Sequence, residues 1–406
     1  MMISPTSRGY SAVLEFQLAI ARPGYAMPSE NTIMTNPLVH SPNKVKLGVM
    51  AFNCSHGSTV TNVPEAWAMT WEDNLALVRM ADQAGIEALL PVGRWKGYGG
   101  KSNFNNRTFE TLTWAAAVAA MTRFSTIFAT IHAPVVHPVA AAKMAATIDH
   151  VSGGRFALNL VAGWFQDEFD MFGVKLEPHS ERYDYAAEWL TLVKRLWSED
   201  GEFDFDGKYF QGKGLWSEPK PLQVPRPPIM NAGSSEMGHA FSARHADMNF
   251  AMLRQMDDDS DKAQIAHLKR MAADLGRSSQ CWIHVYVVCR DTEKEARDYL
   301  HHYVNEQGDE VAVDNMIRIF GAQSATLSDD VLESFKFHFK AGFGGYPLVG
   351  TPEQIVDGIA CLTKLGVDGM LISWVDYLAE CRQWIDRVMP LLEQAGFRLP
   401  LIAHSS

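Results

Sequence analysis

Cysteine is scarce in this chain: 406 residues hold five, Cys54, Cys281, Cys289, Cys361 and Cys381, with no Cys-x-x-Cys. An odd number without close pairs predicts neither a disulfide framework nor a zinc site, and it suits a reducing, cytoplasmic setting. Long apolar runs are missing too. The stretch AVLEFQLAIA over 12–21 resembles a signal core, but Glu15 and Gln17 interrupt it and no clear small-residue cleavage site follows, so neither a membrane span nor a leader is expected. Positive charge is short: Lys and Arg total 36 against 47 Asp and Glu, a net charge of −11. Without a basic stripe, a nucleic-acid footprint is excluded and an ordinary soluble surface remains. There is no HExxH, no Ser-His-Asp set by spacing, and no GxGxxG after the first strand-like run, which weakens a dinucleotide-fold reading.

What is present is an apolar fraction of 47%, ample for a large core. Residues 1–44 read as an irregular tail, with Pro5, Pro23, Pro28, Pro37 and Pro42; Met27 and Met34 offer alternative starts. From Lys46 onward short apolar runs alternate with helical spacing. Strands are predicted at 45–51, 88–92, 125–130, 155–160, 228–231, 248–252, 282–288 and 369–373. Helices are predicted at 71–84, 109–121, 138–151, 182–197, 353–365 and 378–393. Unbroken apolar runs are the mark of strands buried on both faces. About eight β-then-α units predict an α/β chain closed as a TIM (β/α)8 barrel, a single domain over 45–406. The segments 201–227 and 305–350 exceed ordinary βα loops and are read as insertions: lids, binding elements or oligomer contacts.

In such a barrel ligands bind beyond the C-terminal ends of the strands. The run MAATIDHVSGGRFALNLVAGWFQDE over 144–168 places Asn159, Gly163, Trp164, Asp167 and Glu168 at one such end. The run Asn231-Ala232-Gly233-Ser234-Ser235 opens a helix, where free N–H groups and two hydroxyls make an anion seat, or Ser serves only as an N-cap. Arg182 and Tyr183 begin another helix, and Arg suits phosphate. The Gly-rich run 93–100 carries Gly93, Arg94, Lys96 and Tyr98 after the second strand and reads as a substrate loop. His132 and His137 flank Pro134. His284 and Tyr286 share one face of a strand; they either face the barrel mouth or are satisfied core residues.

Together these segments resemble the bacterial-luciferase-like flavin monooxygenases over about 45–392. MAATIDHVSGGRFALNLVAGW, ERYDY, NAGSS and GTPEQI carry the resemblance. GYGGK and the AGSS…AFSA…AD.NF pattern are similar to pyrimidine monooxygenases, whereas GWFQDEF is more like the dimethylsulfone group, with alkanesulfonate enzymes also near. The resemblance implies a luciferase-like TIM barrel holding FMN, used as FMNH2 with O2. It implies flavin contacts at Gly93, Arg94, Asn159, Glu168, Arg182, Tyr183, Ser234 and Ser235, with Arg182, Tyr183 and Ser235 on the phosphate. It also implies an oxygen pocket of Leu90, Thr130, Asn159 and Trp164 beside flavin N5, hence an N5-peroxide and oxidative cleavage of a carbon–heteroatom bond in a small, pyrimidine-like molecule. Thr130 and Asn159 are expected to donate hydrogen bonds there, and Leu90 and Trp164 to exclude water. Lys96, Tyr98, His132, His284 and Tyr286 are the substrate candidates. A separate NAD(P)H:flavin reductase and a dimer or tetramer belong to the same expectation, with no nucleic acid and no membrane as partner. Gly93 and Arg94 stand where the family carries a bulkier residue and a lysine, and Trp282 and His284 where the pyrimidine enzymes are less polar, so uracil itself does not follow. The alternatives are a C4a-type sulfone or alkanesulfonate monooxygenase, a deazaflavin (F420) oxidoreductase, and a non-catalytic flavin-binding barrel.

Overall fold

The computed structural model describes residues 36–253, 258–320 and 329–400. Eleven strands occur among them: β1 (Lys46–Met50), β2 (Ala88–Leu90), β3 (Thr126–His132), β4 (Phe156–Val161), β5 (Phe203–Asp206), β6 (Gln211–Leu215), β7 (Ile229–Asn231), β8 (Met248–Ala251), β9 (Gln280–Cys289), β10 (Tyr346–Gly350) and β11 (Gly369–Ser373). All pairs but β5–β6 are parallel. The ring runs β1-β2-β3-β4-β7-β8-β9-β11 and closes through β11 onto β1. These eight are the strands the apolar runs predict, and the chain is a TIM barrel.

Alternation along each strand separates two cores. On β3, Ile127, Ala129 and Ile131 face the surrounding helices, while Phe128 enters the interior with Met50, Leu90, Ala157, Met230, Met248, Trp282 and Leu371. The same alternation turns Thr130 and His132 inward at the strand's C-terminal end. The barrel is thus filled at its middle and offers polar side chains at one mouth.

Three features depart from the expected layout. The segment 201–227 is not a bare loop: β5 and β6 form an antiparallel hairpin. The segment 305–350 holds the helices Glu310–Ile319 and Asp329–Gly342 and then β10. Val285 and Tyr286 pair with β11 on one edge and with β10 on the other, so β10 lies on the edge that β8 occupies over residues 280–283. Finally, part of the segment expected as irregular tail is built into the barrel. Asn36 caps the short helix Pro37–His40, and Leu38 is fully buried in the barrel interior; the readings made on residues 1–35 lie outside the described residues. Among the described residues no helix is long and apolar enough to cross a membrane.

Candidate active site

The C-terminal mouth holds a cavity of about 330 Å³. Met50, Val161 to Trp164, Arg182, Tyr183, Asn231 to Ser235 and Phe250 to Leu253 line it, with Ile283, His284, Phe320, Phe343, Gly344 and Tyr346. One wall gathers a helix start, hydroxyls and a cation. Asn231 ends β7, and its amide bonds the Leu160 carbonyl (2.7 Å) and accepts from Gly233 N–H (3.0 Å), which fixes the turn. Ser235 caps the helix Glu236–His245, accepting from Gly238 N–H at 3.1 Å. The turn packs on Tyr183 so closely that a Cβ on Gly238 would lie 2.5 Å from the phenol oxygen; glycine is required there. Arg182 donates from Nη1 to the Gly163 carbonyl at 2.7 Å, and its Nε is buried without a partner among the described residues. A helix start, hydroxyls and an unsatisfied guanidinium N–H together fit a phosphate.

Beside this cavity the register sets Thr130 of β3 opposite Asn159 of β4. Thr130 donates its hydroxyl to the Pro91 carbonyl (2.5 Å) and accepts from Asn159 Nδ2 (3.1 Å). Its single proton is therefore committed, which differs from the expected donor role. What remains is Asn159 Oδ1, buried and unpartnered among the described residues. A buried orphan acceptor is costly unless a ligand N–H meets it, and a reduced flavin, with N–H groups on its ring, fits that need.

The Gly-rich loop is anchored by buried charge. Arg94 lies 3.4 Å from Glu168, bonds the Tyr98 hydroxyl (3.1 Å) and contacts His132 Nε2 (3.3 Å). Glu168 also accepts from the N–H groups of Trp95 (2.7 Å) and Lys96 (3.2 Å). Burial raises the Glu168 pKa, opposed by Arg94 and those two N–H groups. Burial, reinforced by Arg94, pushes His132 down to about 3 and keeps it neutral. The Arg94 guanidinium lies 4.7 Å over Trp164, which stacks on Phe320 at 4.5 Å. This layered roof links the loop to the inserted segment.

The candidate residues therefore separate. Trp164, Arg182, Tyr183, Ser234, Ser235 and His284 line the cavity of about 330 Å³. Gly93, Arg94, Thr130 and His132 border a second void of about 20 Å³. Leu90 lies in the barrel interior, and Tyr98 packs behind Trp164. Lys96 is half-exposed and pairs with Asp167 at 3.3 Å. Tyr286 is buried and bonded to His338 (3.1 Å), away from the cavity lining. Sequence reasoning missed Phe250, Phe320, Phe343 and Tyr346. Phe320 and Phe343 belong to the inserted segment, where no strand register marks which side chain turns inward.

Residues 45–369 match the family described as Luciferase-like monooxygenase. Pyrimidine monooxygenase RutA of Enterobacter sp. (strain 638) is 30% identical over 359 residues, covering 86% of this chain and 96% of that protein. Among solved structures, riboflavin lyase (RcaE), determined with modified FMN and riboflavin, aligns with a TM-score of 0.78 at 22% identity over 88% of this chain and 93% of its own. Long-chain alkane monooxygenase (LadA) aligns with a TM-score of 0.76 at 21% identity, over 89% and 94%.

Proposed function

The chain belongs to the luciferase-like monooxygenase family, and from that membership we propose that this flavin-dependent monooxygenase takes reduced FMN from a separate NAD(P)H:flavin reductase and oxidatively cleaves a carbon–heteroatom bond in a small, pyrimidine-like molecule. The observation that carries the reading is a cavity of which one wall suits an anion and the other is aromatic. Arg182, Tyr183, Ser234 and Ser235 would hold the phosphate. Asn159, with Gly93, Arg94 and Glu168 behind it, would orient the ring. Reduced FMN supplies the two electrons that let one atom of O2 enter the substrate while the other leaves as water. Leu90 and Trp164 would exclude bulk water from the N5 edge where oxygen is expected to react, and the Thr130–Asn159 pair would supply a polar contact there. Water exclusion matters because leakage wastes the oxidant as H2O2.

Turnover with FMNH2 and labelled O2 tests this. One labelled atom is expected in the product of at least one member of a pyrimidine and amide panel. Thr130→Val and Asn159→Ala are expected to raise H2O2 released per product about tenfold. Coupling unchanged in both variants would remove the N5-edge role. No oxygenation across amide, sulfone and haloarene panels, or anaerobic turnover with a deazaflavin instead, would overturn the reading.

A further inference from the structure

A hydrophobic group separate from both barrel cores joins the glycine-rich segment after β2 to the inserted helices. Tyr98 and Phe104 meet Phe165, Ala312, Val313, Met316 and Phe339 in it, with Trp164 packed against its edge. Gly99 and Gly100 stand at φ of +73° and +72°, and glycines leave a segment little stiffness of its own. What pins it is Asp309. This buried residue caps the helix Glu310–Ile319, its Oδ1 accepting from Ala312 N–H at 3.2 Å. Its other oxygen turns away from the helix and accepts twice from Ser102, from N–H at 2.6 Å and from Oγ at 2.7 Å. Gly100 packs so closely on the carboxylate that a Cβ there would lie 2.4 Å from Oδ1. Further along the helix, Asn315 donates from Nδ2 to the Tyr98 carbonyl at 2.8 Å.

Capping needs one oxygen, and serine does it as well. The second oxygen holds a segment 207 residues away in sequence. An ionised carboxylate, which only accepts, suits these three donors, whereas an amide would turn its NH2 toward one of them. The pinned segment in turn supports the cavity. Tyr98 receives Arg94 Nη1 on its hydroxyl at 3.1 Å and stacks on Phe165 at 5.6 Å and on Trp164 at 6.5 Å. The Arg94 guanidinium lies 4.7 Å from the Trp164 ring, and Trp164 lines the cavity. Asp309 itself is not among the lining residues. We infer that Asp309 is a positioning residue for this cavity: by clasping Ser102 it seats Tyr98, and through Tyr98 and Arg94 it sets the Trp164 wall that keeps water from a bound flavin. The inference rests on the flavin monooxygenase reading of the cavity. It adds to that reading the distant group that holds the wall in place.

The test uses the full chain and separates the clasp from the cap. Asp309→Ser keeps an oxygen for Ala312 N–H, but that single, nearer oxygen cannot also hold Ser102. Hydrogen exchange over 98–105 is expected to rise about tenfold or more, with 310–319 unchanged. With FMN bound, iodide quenching of flavin fluorescence is expected to rise about twofold or more over wild type, while FMN affinity stays the same. Asp309→Asn is expected to fall between, since its one oxygen serves either Ser102 or Ala312. Raised exchange without a change in flavin access would make Asp309 a structural residue only and overturn the inference. Exchange over 98–105 that stays at the wild-type level would overturn it too, and both outcomes spare the flavin reading. Wild-type protein that does not bind FMN overturns both. Should Asp309→Ser fail to fold, Asn315→Ala, which opens the second clasp and leaves the cap intact, decides by the same two measurements.

Discussion

His132 and His284 are each neutral in the folded chain, held down to about 3 by burial, with Arg94 contributing at His132. Both return to an ordinary imidazole pKa when the chain unfolds, so between about pH 6.5 and 3 the unfolded chain binds more protons. The stability this protects is complete above about pH 6.5 and is lost as pH falls; for two such groups the loss between about pH 7 and 5 is about 4 kcal/mol. Urea unfolding at the two pH values should show these two contributions together with those of His56, His245 and His338, which burial also lowers, and His284→Asn should remove about 2 kcal/mol of the fall. A pH-flat midpoint would contradict the neutral assignment. Arg182 permits a cleaner separation. Removing a charge-assisted hydrogen bond costs about 1.5–3 kcal/mol, so Arg182→Ala should weaken FMN binding about tenfold to a hundredfold. Riboflavin, which lacks the phosphate, should bind wild type and variant alike; equal losses for both ligands would place Arg182 elsewhere. At this scale the gathering of Arg182, Tyr183, Ser234 and Ser235 at one cavity was legible, because a run of small residues and hydroxyls after a strand marks a helix start at the barrel mouth. The direction of the Thr130 proton was not, since it depends on the Pro91 carbonyl, a backbone group with no signature in the side chains.

Among the elements, the eight barrel strands were legible to within about two residues at either end, because burial on both faces leaves an unbroken apolar run. The hairpin in 201–227 was overlooked although its marks are present: Phe203–Asp206 alternates inward and outward around the turn at Gly207. Its short strands fold back outside the repeat, so a reading tuned to βα units passes over them. β10 was hidden differently, since pairing with the far half of a ten-residue β9 needs the length of β9 to be known. Junctions between elements depend on groups that no periodicity reveals. Arg155 is 2% exposed and bonds no carboxylate among the described residues. It donates to the carbonyls of Ala119, Thr122, Ser125 and Ser152 and to the Thr122 hydroxyl, tying two helix ends to β3 and β4. Arg155→Leu would strand these acceptors, each worth about 1 kcal/mol or more when buried unpaired. A loss of at least about 3 kcal/mol in denaturant unfolding is expected, with FMN affinity intact. A loss under about 1 kcal/mol would mean water replaces the guanidinium.

The two mouths of the barrel differ: the candidate site lies at the C-terminal end, and the closure at the other. Closure brings the first and last described segments together on one carboxylate. Glu87, buried at the head of β2, accepts from Ser41 Oγ (3.0 Å), Asn43 Nδ2 and Leu47 N–H (2.9 Å), and pairs with Arg398 at 2.8 Å. Arg398 also donates to the Val45 and Gly85 carbonyls, and both charged side chains are almost wholly buried, at 2% and 0% exposure. Breaking one side of such a pair costs about 3–5 kcal/mol, because the survivor stays buried and charged, whereas replacing both with apolar groups costs less. Arg398→Met alone should therefore destabilise strongly, and Arg398→Met with Glu87→Met should recover part of the loss, measured by urea unfolding of the full chain. If this end unfolds with the rest of the barrel, the midpoint shifts while the denaturant slope holds; a shallower slope would mean that it opens on its own. FMN binding should not change in either variant, since none of these groups approaches the cavity beside Trp164. A parallel fall in flavin affinity would show that the two mouths are coupled and that the barrel does not keep stability and chemistry apart.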